Sequence, residues 1–174
     1  MSRIVLIGAP GSGKSTIGSA LAAHLQWPFV DTDALIELKE SKKITDLFVE
    51  NGEGYFRAVE FETLQEVLKE ESAVISLGGG APISERAQEA LASSDSIIVF
   101  LDVSLATAAP RVGFNRDRPL LVGNPRAKWQ ELMNIRRPIY ESLATFTVST
   151  DSGTPSHIAH LIADILAKSK EVKS

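Results

Sequence analysis

Short runs of apolar and β-branched residues alternate along this chain with longer segments in which apolar positions recur every three or four residues. The short runs predict five strands: Ile4 to Gly8, Pro28 to Asp31, Ala73 to Leu77, Ser96 to Asp102 and Phe146 to Ser149. The helical period predicts helices from Lys14 to Leu25, Thr32 to Lys39, Thr45 to Asn51, Gly54 to Glu70, Ser84 to Leu91, Arg126 to Ala144 and Pro155 to Lys168. In the last of these Ile158, Leu161, Ile162, Ile165 and Leu166 share one face, and Pro155 suits a helix start. Apolar runs interleaved with helices imply an α/β protein on a parallel sheet. Lys168 to Ser174 reads as a polar tail expected to fray. Gly113 to Pro125 breaks the pattern: it carries Gly, Asn, Pro and arginines but little apolar period, which predicts a mobile lid loop.

Composition narrows the chemistry. At 174 residues and 44% hydrophobic, the chain suits one domain, 1–174, with a core that needs no staple. The absence of cysteine excludes thiol catalysis, zinc-thiolate sites and disulfides. A formal charge of −4 disfavours nucleic acid or an anionic membrane as partner. No apolar stretch is long enough for a signal-peptide core or a membrane helix, so the reading is a soluble, cytoplasmic protein. Yet Arg111 to Arg137 holds seven basic residues against two acidic ones. A basic segment on an acidic body suggests a small polyanion handled at one place.

Gly8-Ala9-Pro10-Gly11-Ser12-Gly13-Lys14-Ser15 fits the phosphate-loop pattern G-x-x-x-x-G-K-[ST], between a predicted strand and a predicted helix. Its glycines let backbone N–H groups converge on an anion, Lys14 reaches the β and γ phosphates, and the Ser15 hydroxyl suits Mg²⁺. Neither Asn-Lys-x-Asp nor Asp-x-x-Gly is present, which excludes a GTPase switch, and the small size with a basic lid points to a small-molecule kinase.

Asp31-Thr32-Asp33 ends a strand beside that loop, where ligands of open α/β sheets bind. Asp31 is placed to hold Mg²⁺ through water and Asp33 to take a proton from an attacking hydroxyl, although one of them could simply cap the next helix. Asp102 also ends an apolar run and is a second candidate for the metal shell. Arg57 and Glu60 share a helix face, Gly78-Gly79-Gly80 follow a strand directly, and Arg118-Pro119-Leu120-Leu121 sits in the lid, ahead of Arg136-Arg137-Pro138-Ile139-Tyr140. His157 and His160 read as solvated or core-edge, and Trp27 and Trp129 as packing residues.

Taken in order from Ile4 to about Leu166, these motifs resemble the shikimate kinase family. The resemblance implies a three-layer α/β/α sandwich of the nucleoside monophosphate kinase type, a P-loop NTPase fold with a five-stranded parallel sheet in the order 2-3-1-4-5. It implies a lid at about 111–125 and an acceptor-binding helical region at about 32–62. The implied reaction is transfer of phosphoryl from ATP to the 3-hydroxyl of shikimate. Asp33 would contact the acceptor hydroxyls and serve as base, Arg57 and Arg136 would clamp the carboxylate, and Gly79 and Gly80 would add backbone contacts. Glu60 would orient Arg57. Gly11, Ser12, Gly13, Lys14, Ser15 and Thr16 would hold ATP, with Arg111 stacked on adenine, Pro155 on its other side, and Lys14 and Arg118 on the moving phosphoryl group. One Mg²⁺ per subunit would sit between Ser15, Asp31 and the nucleotide. A monomer is expected. Pro110 stands where the residues before Arg111 should be helical, which leaves the adenine contact open. Gluconate kinases, nucleoside monophosphate kinases and idle ATP-binding modules share the phosphate loop, but not this ordered set.

Overall fold

The five apolar runs pair into one parallel sheet in the order β2-β3-β1-β4-β5, formed by β1 (Ile4–Ile7), β2 (Phe29–Asp31), β3 (Val74–Ser76), β4 (Ile97–Asp102) and β5 (Phe146–Ser149). The structure is a computed structural model and describes residues 3–112 and 124–173. The order is the expected one. Side chains alternate across the sheet: Val5, Ile7, Ile75, Leu77, Ile98 and Phe100 enter one buried cluster, while Ile4, Leu6, Val74, Val99 and Leu101 enter another. Both faces therefore need a cover of helices.

The second cluster is closed by α1 (Lys14–Leu25) and α7 (Pro155–Lys173), through Ile17 and Leu21 on one and Ile158, Ile162 and Leu166 on the other. The first is closed by α3 (Ile44–Val67), α4 (Glu85–Ser93), α5 (Leu105–Val112) and α6 (Pro125–Leu143). A smaller cluster of Ile36, Leu47, Phe56 and Val59 joins α2 (Thr32–Glu40) to α3. All four β1 side chains are essentially inaccessible, so truncating Leu6 to Ala would cost about 2–5 kcal/mol.

Three local readings change. The helices predicted on either side of Gly52 are one assigned element, α3, but Gly52 breaks it at φ 85°, ψ 165°, a conformation that a side chain disfavours. The apolar period predicts no helix over Leu105–Val112, although the resemblance implies helix before Arg111, and α5 forms there: the Ser104 hydroxyl accepts from the Thr107 N–H at 3.3 Å, and Ala108, Ala109 and Val112 are buried. Pro110 costs one helical hydrogen bond, which that packing offsets. The tail expected to fray from Lys168 continues α7 as helix to Lys173. Most of the predicted lid, including Arg118, lies outside the described residues.

Candidate active site

Gly8 to Lys14 turn from β1 into α1, with Gly11 and Gly13 in the left-handed region at φ 84° and 89°. A Cβ on Gly11 would also lie 2.7 Å from Val112 Cγ2 and 3.0 Å from the Ala108 carbonyl, so α5 packs directly on the loop. The Lys14 ammonium lies inside the loop's curve and donates to the carbonyls of Gly8 at 2.7 Å and Ala9 at 3.0 Å. Beside it is a cavity of about 450 Å³, lined among others by Gly13, Lys14, Ser15, Thr16, Arg111 and Pro155. The Arg111 guanidinium donates to the Gly11 carbonyl at 3.2 Å and the Thr150 carbonyl at 3.1 Å, which fixes it at the rim.

Asp31 is the N-cap of α2, accepting from the Ala34 N–H at 3.1 Å through Oδ1, while Oδ2 accepts from the Ser15 hydroxyl. Capping and contact with the phosphate-loop serine are thus done by different oxygens of one carboxylate. Asp102, the other strand-end candidate, is engaged by Arg137, whose Nη1 and Nη2 donate to its two oxygens at 3.0 and 2.8 Å.

A second cavity of about 580 Å³ opens on the other side of Asp33, lined by Arg57, Glu60, Gly80, Arg136 and the apolar Ile44, Phe48 and Phe56. Arg136 is only 7% exposed and Glu60 4%, so two charges are held out of water. Arg57 donates to Glu60 at 2.6 Å. Burial pushes the Glu60 carboxyl above its ordinary value, and the charge and hydrogen bond of Arg57 pull it partly back. Burial likewise pushes the Tyr140 hydroxyl up to about 12, so at neutral pH it is a donor, and it donates to the Gly79 carbonyl at 2.6 Å.

The three glycines after β3 are explained by what presses on them. A Cβ on Gly78 would meet Asp33 Oδ1 at 2.5 Å, on Gly79 Arg136 Nη1 at 3.2 Å, and on Gly80 Arg57 Cζ at 2.8 Å. Each glycine makes room for one polar side chain of this second cavity. None of the three has a positive φ, so space rather than backbone freedom is the requirement. Pro10, Asp33, Gly78 and Gly79 line both cavities and form their common wall.

A family model described as shikimate kinase matches residues 10–167. The chain belongs to the shikimate kinase family. A shikimate kinase of Thermobifida fusca is 50% identical over 159 residues, covering 91% of each chain. The structure of a shikimate kinase from Acinetobacter baumannii in complex with shikimate superimposes with a TM-score of 0.94 at 33% identity, over 98% of this chain and 95% of that one. A gluconokinase from Sinorhizobium meliloti matches at a TM-score of 0.60 and 20% identity, over 99% of this chain and 97% of that one, which shows the shared fold alone.

Within this shikimate kinase fold, the residues singled out from sequence fall into two groups around the common wall. Gly11, Gly13, Lys14, Ser15, Thr16, Asp31, Arg111 and Pro155 line the phosphate-loop cavity, with Ser12 buried behind it. Arg57, Gly79, Gly80 and Arg136 line the other. Arg118 lies outside the described residues. Sequence reasoning treated Trp129 as packing; it is buried, but its Nε1–H also donates to the Pro10 carbonyl at 2.9 Å. The apolar lining from Ile44 and Phe48 was missed as well, and the only available hint was helical spacing that any core face shows. His157 and His160 are exposed, as expected, and His160 stacks edge-to-face on His24 at 4.6 Å.

Proposed function

We propose that this chain transfers the γ-phosphoryl group of ATP to the 3-hydroxyl of shikimate, giving shikimate 3-phosphate and ADP on the route to chorismate and the aromatic amino acids. The observation that carries the reading is the position of Asp33 in the wall shared by a phosphate-loop cavity and a cavity presenting two guanidinium groups. An acceptor with a carboxylate at one end and hydroxyls at the other is fixed by Arg57 and Arg136, which turns a hydroxyl toward Asp33. Asp33 accepts the hydroxyl proton as the oxygen attacks phosphorus in line. The phosphate-loop N–H groups, the α1 N-terminus and Lys14 hold the donor phosphates, and Arg118 is assigned the charge that develops on the transferred group. Arg111 and Pro155 flank the adenine.

One Mg²⁺ per subunit is part of this reading. Ser15 and Asp31 offer adjoining hard oxygen donors, and among the described residues no group of three or more His, Cys, Asp or Glu gathers into a larger cage. That donor set suits an ion that keeps waters and phosphate oxygens as its other ligands. When bound it supplies neutralisation of phosphate charge. Asp102 is committed to Arg137, which favours Asp31. A monomer is part of the same reading. Among the described residues no helix is long and apolar enough to cross a membrane; a cytoplasmic location and small molecules rather than nucleic acid as partners belong to the same proposal.

The test is to incubate the protein with MgATP and shikimate and examine the product by mass spectrometry and phosphorus NMR. A monophosphate whose phosphorus couples to the ring proton at C3 is expected. Phosphate on another hydroxyl, or inorganic phosphate alone, would overturn the assignment.

A further inference from the structure

The two glycine-rich loops that form the common wall are held by the same helix. Trp129 and Tyr140, both buried on α6, send their only side-chain donors to main-chain carbonyls of those loops: Trp129 Nε1–H to Pro10 at 2.9 Å and the Tyr140 hydroxyl to Gly79 at 2.6 Å. Pro10 and Gly79 each line both cavities, and a Cβ on Gly79 would lie 3.4 Å from Pro10 Cδ, so the loops touch where they are held. Between Trp129 and Tyr140, Arg137 fastens α6 to the end of β4 by its two-pronged contact with Asp102. A helix bonded to both loops and to the end of β4 acts as a gauge of their separation.

We propose that Trp129 and Tyr140 are positioning residues that set the distance and line of phosphoryl transfer, by bonding the donor loop and the acceptor loop to one helix. Neither needs to touch a substrate. Packing alone would be satisfied by a phenyl ring at 140, and at 129 by any apolar group of indole size, whereas a buried donor aimed at a loop carbonyl adds direction. Misplacing reacting atoms by about 1 Å can cost about 100-fold in rate, so small loop shifts should register in turnover before they register in binding.

The inference rests on the kinase reading, and steady-state kinetics of wild type, Trp129→Phe and Tyr140→Phe with MgATP and shikimate separates the two. Wild-type turnover tests the reading; the variant-to-wild-type ratio tests the inference. For each variant kcat is expected to fall about 10- to 100-fold, with the KM of both substrates within about threefold of wild type. Hydrogen exchange gives a readout independent of turnover: amides of residues 11–15 should exchange faster in Trp129→Phe and those of 78–80 in Tyr140→Phe. Unchanged kcat, unchanged exchange at both loops, or a rise confined to the shikimate KM would overturn the proposal. So would loss of folding in either variant, which would assign that residue to stability.

Discussion

The two cavities that meet at Asp33 are built by opposite means. The phosphate-binding part of the first cavity comes from one stretch, Gly8 to Thr16, bent by glycines with positive φ and opening a helix, while Asp31, Arg111 and Pro155 close the cavity from elsewhere. The acceptor side is made of side chains brought from α2, α3, the turn after β3 and α6, with the buried charges of Glu60 and Arg136 balanced across it. Binding a phosphate chain needs converging N–H groups, which a local loop supplies. Choosing one acceptor among many hydroxyl compounds needs groups that are costly to leave unpaired, and these must be gathered from the whole fold.

The contrast is tested most severely at the wall itself. Asp33→Asn keeps the shape but removes the proton acceptor, so kcat should fall by about 10²- to 10⁴-fold while ATP binding, measured by titration calorimetry, stays near wild type. Turnover near normal would remove Asp33 as base. Arg136→Ala should raise the shikimate KM by about 10- to 100-fold, from the loss of a charge-assisted contact, and leave the ATP KM almost unmoved. Equal movement of both would erase the division between the cavities. Arg111→Ala is the converse: its guanidinium is exposed and rim-bound, so the ATP KM should rise only by about two- to tenfold with the shikimate KM unchanged.

The smallest effect is on stability. Glu60 is held above its ordinary 4.5 chiefly by burial, so between that value and its raised value the folded state binds more protons than the unfolded one. This contribution is present below 4.5 and is lost as pH rises through the raised value. Glu60→Gln should flatten that part of the stability curve, measured by denaturant unfolding across a pH series. A wild-type slope of opposite sign would mean that pairing with Arg57 outweighs burial.

The same difference in construction governs what could be read before the structure. Gly8 to Ser15 is contiguous, so residue type and spacing alone identified a phosphate site, and the apolar runs indicated each strand to within a residue or two at either end. Arg57, Gly78 to Gly80 and Arg136 are scattered over eighty residues, and only the resemblance to a family joined them. Even then the reason for three glycines was out of reach, because the side chains that press on them come from α2, α3 and α6. Trp129 looked like any buried aromatic, since a hydrogen bond spanning 119 positions leaves no trace in local pattern. α5 left no clear apolar period and was implied only by the resemblance; Pro110 weakens it, and the packing of Ala108 and Val112 on the phosphate loop that outweighs the proline is tertiary.

The most direct test of the central claim, that a generic donor site is joined through Asp33 to an acceptor site built for shikimate, is the rate of ADP release from MgATP with shikimate, gluconate, AMP or no acceptor. Rapid release with shikimate alone is the predicted result. Release with shikimate no faster than without acceptor would contradict it, leaving the phosphate loop in place and the acceptor assignments withdrawn.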